Sequence, residues 1–184
     1  MPERNGTGAV KFRRFAIVLA ATANLVLADA VTKELAAGYL KGGPPLHVVP
    51  GFFNLAYVEN RGCAWGMFQG SAVPLALFGV LALCALVWKR KTVFSPGENA
   101  DAARRFAACA AECLAYAGIV GNIIDRVFRG YVIDFIDLHT GGAWHFPCFN
   151  LADICITLAA ACLIAISCGE GKDREKQRKA TDKC

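Results

Sequence analysis

Four aspartates, Asp125, Asp134, Asp137 and Asp153, fall within the stretch GNIIDRVFRGYVIDFIDLHTGGAWHFPCFNLAD, residues 121–153. Long apolar segments lie on both sides of it. Ionisable side chains at the edge of a bilayer are costly and need a partner or a task. Two carboxylates held close together cannot both ionise comfortably and so share a proton; such a pair can take a proton from water and give one to a substrate oxygen. Asn60, Asn122, Asp125, Arg126, Asp134 and Asp153 all sit at the outer ends of apolar segments, and polar groups converging at one membrane boundary suggest a site. Taken alone, Asn150 and Asp153 also read as an N-cap and a first-turn acid at a helix start.

The elements that must position these groups are helices. The chain has 184 residues, 55% of them hydrophobic, with a mean hydropathy of +0.39. That is too apolar, and too blockwise, for an ordinary soluble core. Phe15 to Ala30, Ala72 to Trp88, Phe106 to Ile124 and Leu151 to Cys168 approach the length of about 17–25 residues that a membrane-crossing helix needs. The expectation is a mainly α membrane protein forming one domain, with four transmembrane helices over about 15–32, 72–88, 106–124 and 150–168.

Basic residues set the orientation. They cluster in residues 1–14, in 89–105 and in 169–184, so by the positive-inside rule both termini and the middle loop are cytoplasmic. Residues 33–71 and 125–149 then lie on the extracytoplasmic side, and 169–184 form a basic cytoplasmic tail. The net charge of +5 is explained by this topology better than by nucleic-acid binding, which is not expected.

Along the chain, Ala28-Asp29-Ala30 after the first apolar run superficially fits a cleaved signal peptide. The helical pattern continues through Val31, Thr32, Lys33 and Leu35, which favours a retained span. Asp29 and Lys33 are then i,i+4 neighbours whose charges neutralise each other. Gly42-Gly43-Pro44-Pro45 breaks that helix, and the β-branched and aromatic residues from His47 to Val58 predict short strands on the outer surface. Ser71 and Pro74 open the second span. Glu112, deep in the third, needs a partner, and Arg105 is within reach on the same helix face. In an extended segment from Tyr131 to Ile136, Asp134 and Asp137 point to opposite sides. Of nine cysteines, six lie in apolar spans and read as small hydrophobes, while Cys63 and Cys148 lie on the outer side, where a disulfide is conceivable but not indicated.

The segments DAVTK at 29–33, NRGCAWG at 60–66, GNIIDR at 121–126, VIDF at 132–135 and FNLAD at 149–153 occur in one order, and the resemblance they carry covers about residue 15 to 168. In that order and approximate spacing the chain resembles lipoprotein signal peptidase, or signal peptidase II, a family of bacterial intramembrane aspartyl proteases. The resemblance implies removal of the signal peptide from diacylglyceryl-modified prolipoproteins, with cleavage just before the lipidated cysteine. It implies catalytic roles for Asp134 and Asp153, and supporting or substrate-orienting roles for Asp29, Lys33, Asn60, Gly62, Asn122, Asp125, Arg126 and Asn150. Cys63 and Trp65 stand where the family often has Ala and Phe, and Glu112 has no counterpart. The expected partners are the lipid-modified prolipoprotein and membrane lipids, with no cofactor and no metal, in a monomer of the bacterial inner membrane.

Other chemistries are weaker. A transporter would usually bury its acids nearer the midplane or show repeated halves, and no repeat is present. A divalent-metal site from Asp134, Asp137, His139 and His145 lacks any characteristic ligand spacing. A thiol hydrolase would need Cys63 or Cys148 beside His139 or His145.

Overall fold

The computed structural model describes residues 5–62, 70, 72–97, 100–141 and 144–181. Among them lie helices α1 (Asn5–Leu40), α2 (Ala72–Trp88), α3 (Arg90–Val93), α4 (Ala102–Phe128) and α5 (Leu151–Thr181). Strands β1 (Leu46–Val49), β2 (Phe53–Asn60), β3 (Val132–Thr140) and β4 (Trp144–His145) form one antiparallel arrangement in the order β1-β2-β3-β4. Three helical stretches, Phe12–Leu40, Ala102–Phe128 and Leu151–Gly171, are long and apolar enough to cross a membrane; α2 is a shorter apolar helix of 17 residues.

The helices overrun the apolar blocks that announce them. α1 passes unbroken through Ala28-Asp29-Ala30 and stops only at the glycine-proline segment, where Gly43 N donates to Leu40 O at 3.2 Å. α5 continues beyond Cys168 because the polar residues that follow, among them Glu175, Lys176, Gln177 and Arg178, are good helix formers. Ser71 and its capping role lie outside the described residues.

β2 is the middle of the sheet's first three strands, pairing Val58 with Asp134 and Asn60 with Val132. The chain then leaves β4, and Phe149 re-attaches to β3: its carbonyl accepts from Phe135 N and Ile136 N at 3.1 and 2.9 Å. That bridge brings the start of α5 beside the middle of β3.

α4 is the hub, in contact with α1, α2 and α5. Its buried side is built of small residues, Ala108, Ala111, Ala115, Ala117 and Gly118 among them, which allow helices to approach closely where lipid supplies no hydrophobic drive. A Cβ on Gly118 would come within 2.4 Å of the Ala152 carbonyl and 2.6 Å of Ile156 Cγ1, so α4 and α5 touch through bare backbone. In the first half of α4, Glu112 is fully buried and meets Arg14 Nη2 at 3.0 Å and Arg90 Nε. Arg14 also donates to Phe94 O at 2.7 Å, so the carboxylate locks α1, α4 and the segment after α3 together. Arg105, the partner expected for Glu112, sends its Nε to Ala100 O at 3.0 Å.

The second lock is Lys33. Its ammonium is 1% exposed and has three donors, which match Asp29 Oδ2 at 2.7 Å, Asp125 Oδ2 at 3.0 Å and Asn122 Oδ1 at 3.2 Å. Each acid then holds another element. Asp29 Oδ1 accepts from Ala152 N, at the start of α5, at 2.9 Å; Asp125 accepts from Ile133 N of β3 at 3.2 Å and from Arg129 Nε at 3.1 Å.

Two substitutions test these contacts by thermal unfolding in detergent. Gly118→Ala forces α4 and α5 apart and is expected to cost about 1–3 kcal/mol. Lys33→Met leaves the buried Asp29 carboxylate without a cation and Asp125 with Arg129 alone, and is expected to cost about 3–5 kcal/mol. An unchanged Tm in Lys33→Met would show that the ammonium does not hold the bundle.

Candidate active site

The end of α4 carries Asn122, Asp125 and Arg126. One turn separates Asn122 from Arg126, so both face the same cleft, while Asp125 is rotated toward Lys33. Gly130 ends the helix at a φ of 77°, a left-handed conformation that costs glycine little, and the chain turns directly into β3. Asp134 follows four residues later, 2% exposed.

α5 begins with a reciprocal cap. Asn150 Oδ1 accepts from Asp153 N at 3.0 Å, and Asp153 Oδ2 accepts from Asn150 N at 3.2 Å. This is the capping-box geometry, with Asn and Asp in the two roles. It also fixes which way Asn150 points: its oxygen faces a backbone donor, so its Nδ2 is left to donate to Asp134 Oδ1 at 2.7 Å.

The other two asparagines are fixed by the same logic. Asn122 Oδ1 takes the Lys33 ammonium, so Nδ2 faces Asp153 and donates to Oδ1 at 2.8 Å. Asn60 Oδ1 takes Gly62 N at 3.0 Å, so Nδ2 faces Asp134 and donates to Oδ2 at 2.9 Å. Arg126 closes the ring, donating through Nη2 to Gly62 O at 3.1 Å and through Nη1 to Asn122 O at 3.3 Å. Asn122 and Asn150 also touch at 3.3 Å, which links the two carboxylates through their amides.

Asp134 and Asp153 both line a cleft of about 670 Å³. Asn60, Asn122 and Arg126 form its polar side, and Phe146, Phe149, Ile154 and Leu158 contribute its apolar wall. Burial, and after it the negative charge of Asp153, push the Asp134 carboxyl up to about 7; the Asn60 and Asn150 donors and the Lys33 charge pull the other way without prevailing. A pair with one acid near neutrality can hold a single shared proton in the physiological range.

Of the residues singled out in the sequence, Asn60, Asn122, Arg126, Asp134, Asn150 and Asp153 meet around the cleft, with Gly62 at its margin. Asp29, Lys33 and Asp125 lie behind them as a buried ion cluster. Asp137, His139 and His145 belong elsewhere: Asp137 and His139 both meet Asn54, and His145 meets Asp137. Among the described residues no group of three or more His, Cys, Asp or Glu side chains is arranged to hold a metal ion. Cys148 lines the cleft as a free thiol, and burial followed by the charges of Asp137 and Asp134 pushes it up to about 11, which makes it a poor nucleophile at neutral pH. Cys63, its conceivable disulfide with Cys148, and Trp65 lie outside the described residues.

The apolar wall and Asn54 are the parts that sequence reading did not single out. Spacing signals for both exist: Trp144, Phe146 and Phe149 are aromatics just ahead of a helix cap, and Asn54 interrupts the apolar and aromatic run from Phe52 to Val58.

Comparison with known proteins places this geometry. A bacterial membrane enzyme structure obtained by the in meso method at 2.3 Å resolution superposes with a TM-score of 0.69 at 29% identity, over 86% of this chain and 91% of the other. A second, at 1.9 Å, gives 0.66 at 33% identity over 82% and 91%. The lipoprotein signal peptidase of Clostridium acetobutylicum is 36% identical over 77% of this chain and 86% of its own length; that of Paraburkholderia phymatum is 36% identical over 76% and 80%. Residues 21–168 match the family described as signal peptidase (SPase) II, and the chain, a membrane-type protease by that kinship, belongs to it.

Proposed function

We propose that the chain removes the signal peptide from diacylglyceryl-modified prolipoproteins, cutting before the lipidated cysteine by water attack at an Asp134–Asp153 dyad. The observation that carries this reading is the pair itself: two carboxylates from β3 and α5 on one cleft, bridged by Asn150 and Asn122. Asp134, raised toward neutrality, starts protonated and donates to the scissile carbonyl oxygen. Asp153, receiving N–H donors from Asn122 and its own cap, takes the proton from the attacking water. The tetrahedral intermediate then collapses as the amine leaves with a proton from the dyad, and no covalent acyl-enzyme forms.

Asn60, Gly62 and Arg126 act together as the rim that orients the substrate backbone, and Asp29, Lys33 and Asp125 hold the elements that carry the acids. The apolar wall suits the signal helix and acyl chains. In this reading α2, whose 17 residues rise about 26 Å, serves as a fourth span close to the roughly 30 Å hydrocarbon thickness. Both basic termini and the 89–105 segment face the cytoplasm of a bacterial inner membrane, and the sheet and the cleft mouth face outward. A single chain supplies every group the reaction uses.

The test is cleavage of a diacylglyceryl-modified prolipoprotein in detergent. Asp134→Asn and Asp153→Asn are each expected to lose about 10²–10⁴-fold in kcat/KM with the fold retained. Asp101→Asn, at the far end of α4 where Asn also caps a helix, is expected to match wild type. Turnover near the wild-type rate in both dyad variants would overturn the assignment. Because the acid role needs Asp134 protonated, wild-type kcat/KM is expected to fall as pH rises through about 7. A profile flat from about pH 5 to about pH 9, roughly two units either side of that value, would place the proton elsewhere.

A further inference from the structure

On the outer sheet, away from the carboxylate pair, the three histidines of the chain gather with Asn54 and Asp137 in one cluster. Asn54 Oδ1 lies 2.7 Å from His47 Nδ1; Asn54 Nδ2 donates to Asp137 Oδ2 at 3.0 Å and approaches His139 Nε2 at 2.9 Å. Asp137 rules out the opposite amide orientation, because a carbonyl oxygen there would face a carboxylate. His139 therefore accepts through Nε2, and its proton sits on Nδ1. His145 stacks on His139 with ring centres 5.1 Å apart and turns its Nδ1 toward Asp137 Oδ1 at 3.3 Å. Asn54, Asp137 and His139 are all buried. Nothing in the proposed chemistry uses this carboxylate, and burying one without a reason is expensive.

Its position supplies the reason. β4 is two residues long, and alternation sends His145 to one face and Trp144 and Phe146 to the other. Trp144, Phe146 and Phe149 form a row with ring centres 6.0 and 5.8 Å apart, and Phe146 and Phe149 line the cleft. At the Phe149 end this segment is pinned by three backbone bonds to β3. At the other end a short ladder and the bond from Phe146 N to Leu138 O at 2.9 Å are backbone ties, and His145, bonded to Asp137 and stacked on His139, adds side-chain ties.

We propose that Asp137 and His145 are positioning residues whose contact holds residues 144–149 against β3 and so sets the aromatic wall on which the apolar part of the substrate packs. The proposal rests on the peptidase reading for its substrate but on the geometry of the sheet for its mechanism. The wall touches the substrate away from the reacting carbonyl, so losing the clamp weakens binding and leaves the chemical step alone.

His145 is exposed, so its substitution leaves the buried fold in place. His145→Phe keeps a ring to stack on His139 and removes the N–H; His145→Gln keeps a donor for Asp137. With the diacylglyceryl-modified prolipoprotein as substrate, His145→Phe is expected to raise KM roughly tenfold with kcat unchanged, the scale of one hydrogen bond to a charged group. Amide hydrogen exchange of residues 144–149 should quicken in the same variant, and His145→Gln should restore most of both. Wild-type KM and exchange in His145→Phe, or a His145→Gln as impaired as His145→Phe, would overturn the clamp. If the wild-type protein does not cleave the prolipoprotein at all, the peptidase reading fails, and the exchange measurement still decides whether the clamp exists.

Discussion

The structure depends on one buried ammonium. Lys33 has three protons and finds three acceptors, and each acceptor hands the constraint on to a different element: Asp29 to the start of α5, Asp125 to the start of β3, Asn122 to the Asp153 carboxylate. Buried ion clusters are weak evidence for stability, since well-packed apolar groups of similar volume often hold a fold as well. What apolar groups cannot do is choose a direction. A methionine at position 33 would leave only the Asn150 amide to hold the Asn122 oxygen, and were the Asn122 amide to turn over, Asp153 would face an oxygen in place of a donor.

Direction is also why the cleft is furnished with asparagines. A carboxylate presents acceptors on every side and a lysine only donors, whereas an amide has one of each and can join unlike neighbours in a fixed sense. Asn60, Asn122 and Asn150 each turn oxygen to a donor-only group, a backbone N–H or the ammonium, and nitrogen to a carboxylate. Two such donors on Asp134 favour its charged form, yet burial and the neighbouring Asp153 outweigh them. Asp134 is thus held by two donors while its carboxyl stays raised, which suits the general-acid role proposed for it.

Much of this was legible in the chain. The apolar blocks marked the helices, β-branched and aromatic runs marked β1 and β2, and the FNLAD segment showed a helix start whose capping acid lines the cleft. What was not legible is what depends on distance along the chain. Glu112 takes Arg14 from 98 residues away, and Asp29 caps a helix 123 residues downstream; no local spacing encodes either. Arg105 was the natural reading for Glu112 only because it lies on the same helix, and tertiary packing put α1 and α3 closer. The extent of α5 was missed for a different reason: hydropathy ends where the apolar run ends, while helix propensity carries on through the charged residues.

β3 shows how a single strand can serve two ends. Acids three apart on an extended chain must face opposite ways, and they do: Asp134 takes Asn60 and Asn150 on the cleft side, Asp137 takes Asn54 and His145 on the other. The cleft wall of residues 146–149 grows out of the same strand pair that Asp137 anchors. A peptide seated on that wall is consequently referenced to the same rigid strand as the acid proposed to protonate it. For an enzyme of this kind that is a mechanical advantage, because a wall and an acid on separate, independently moving elements would have to be aligned anew with each substrate, and alignment is where much of the barrier reduction comes from.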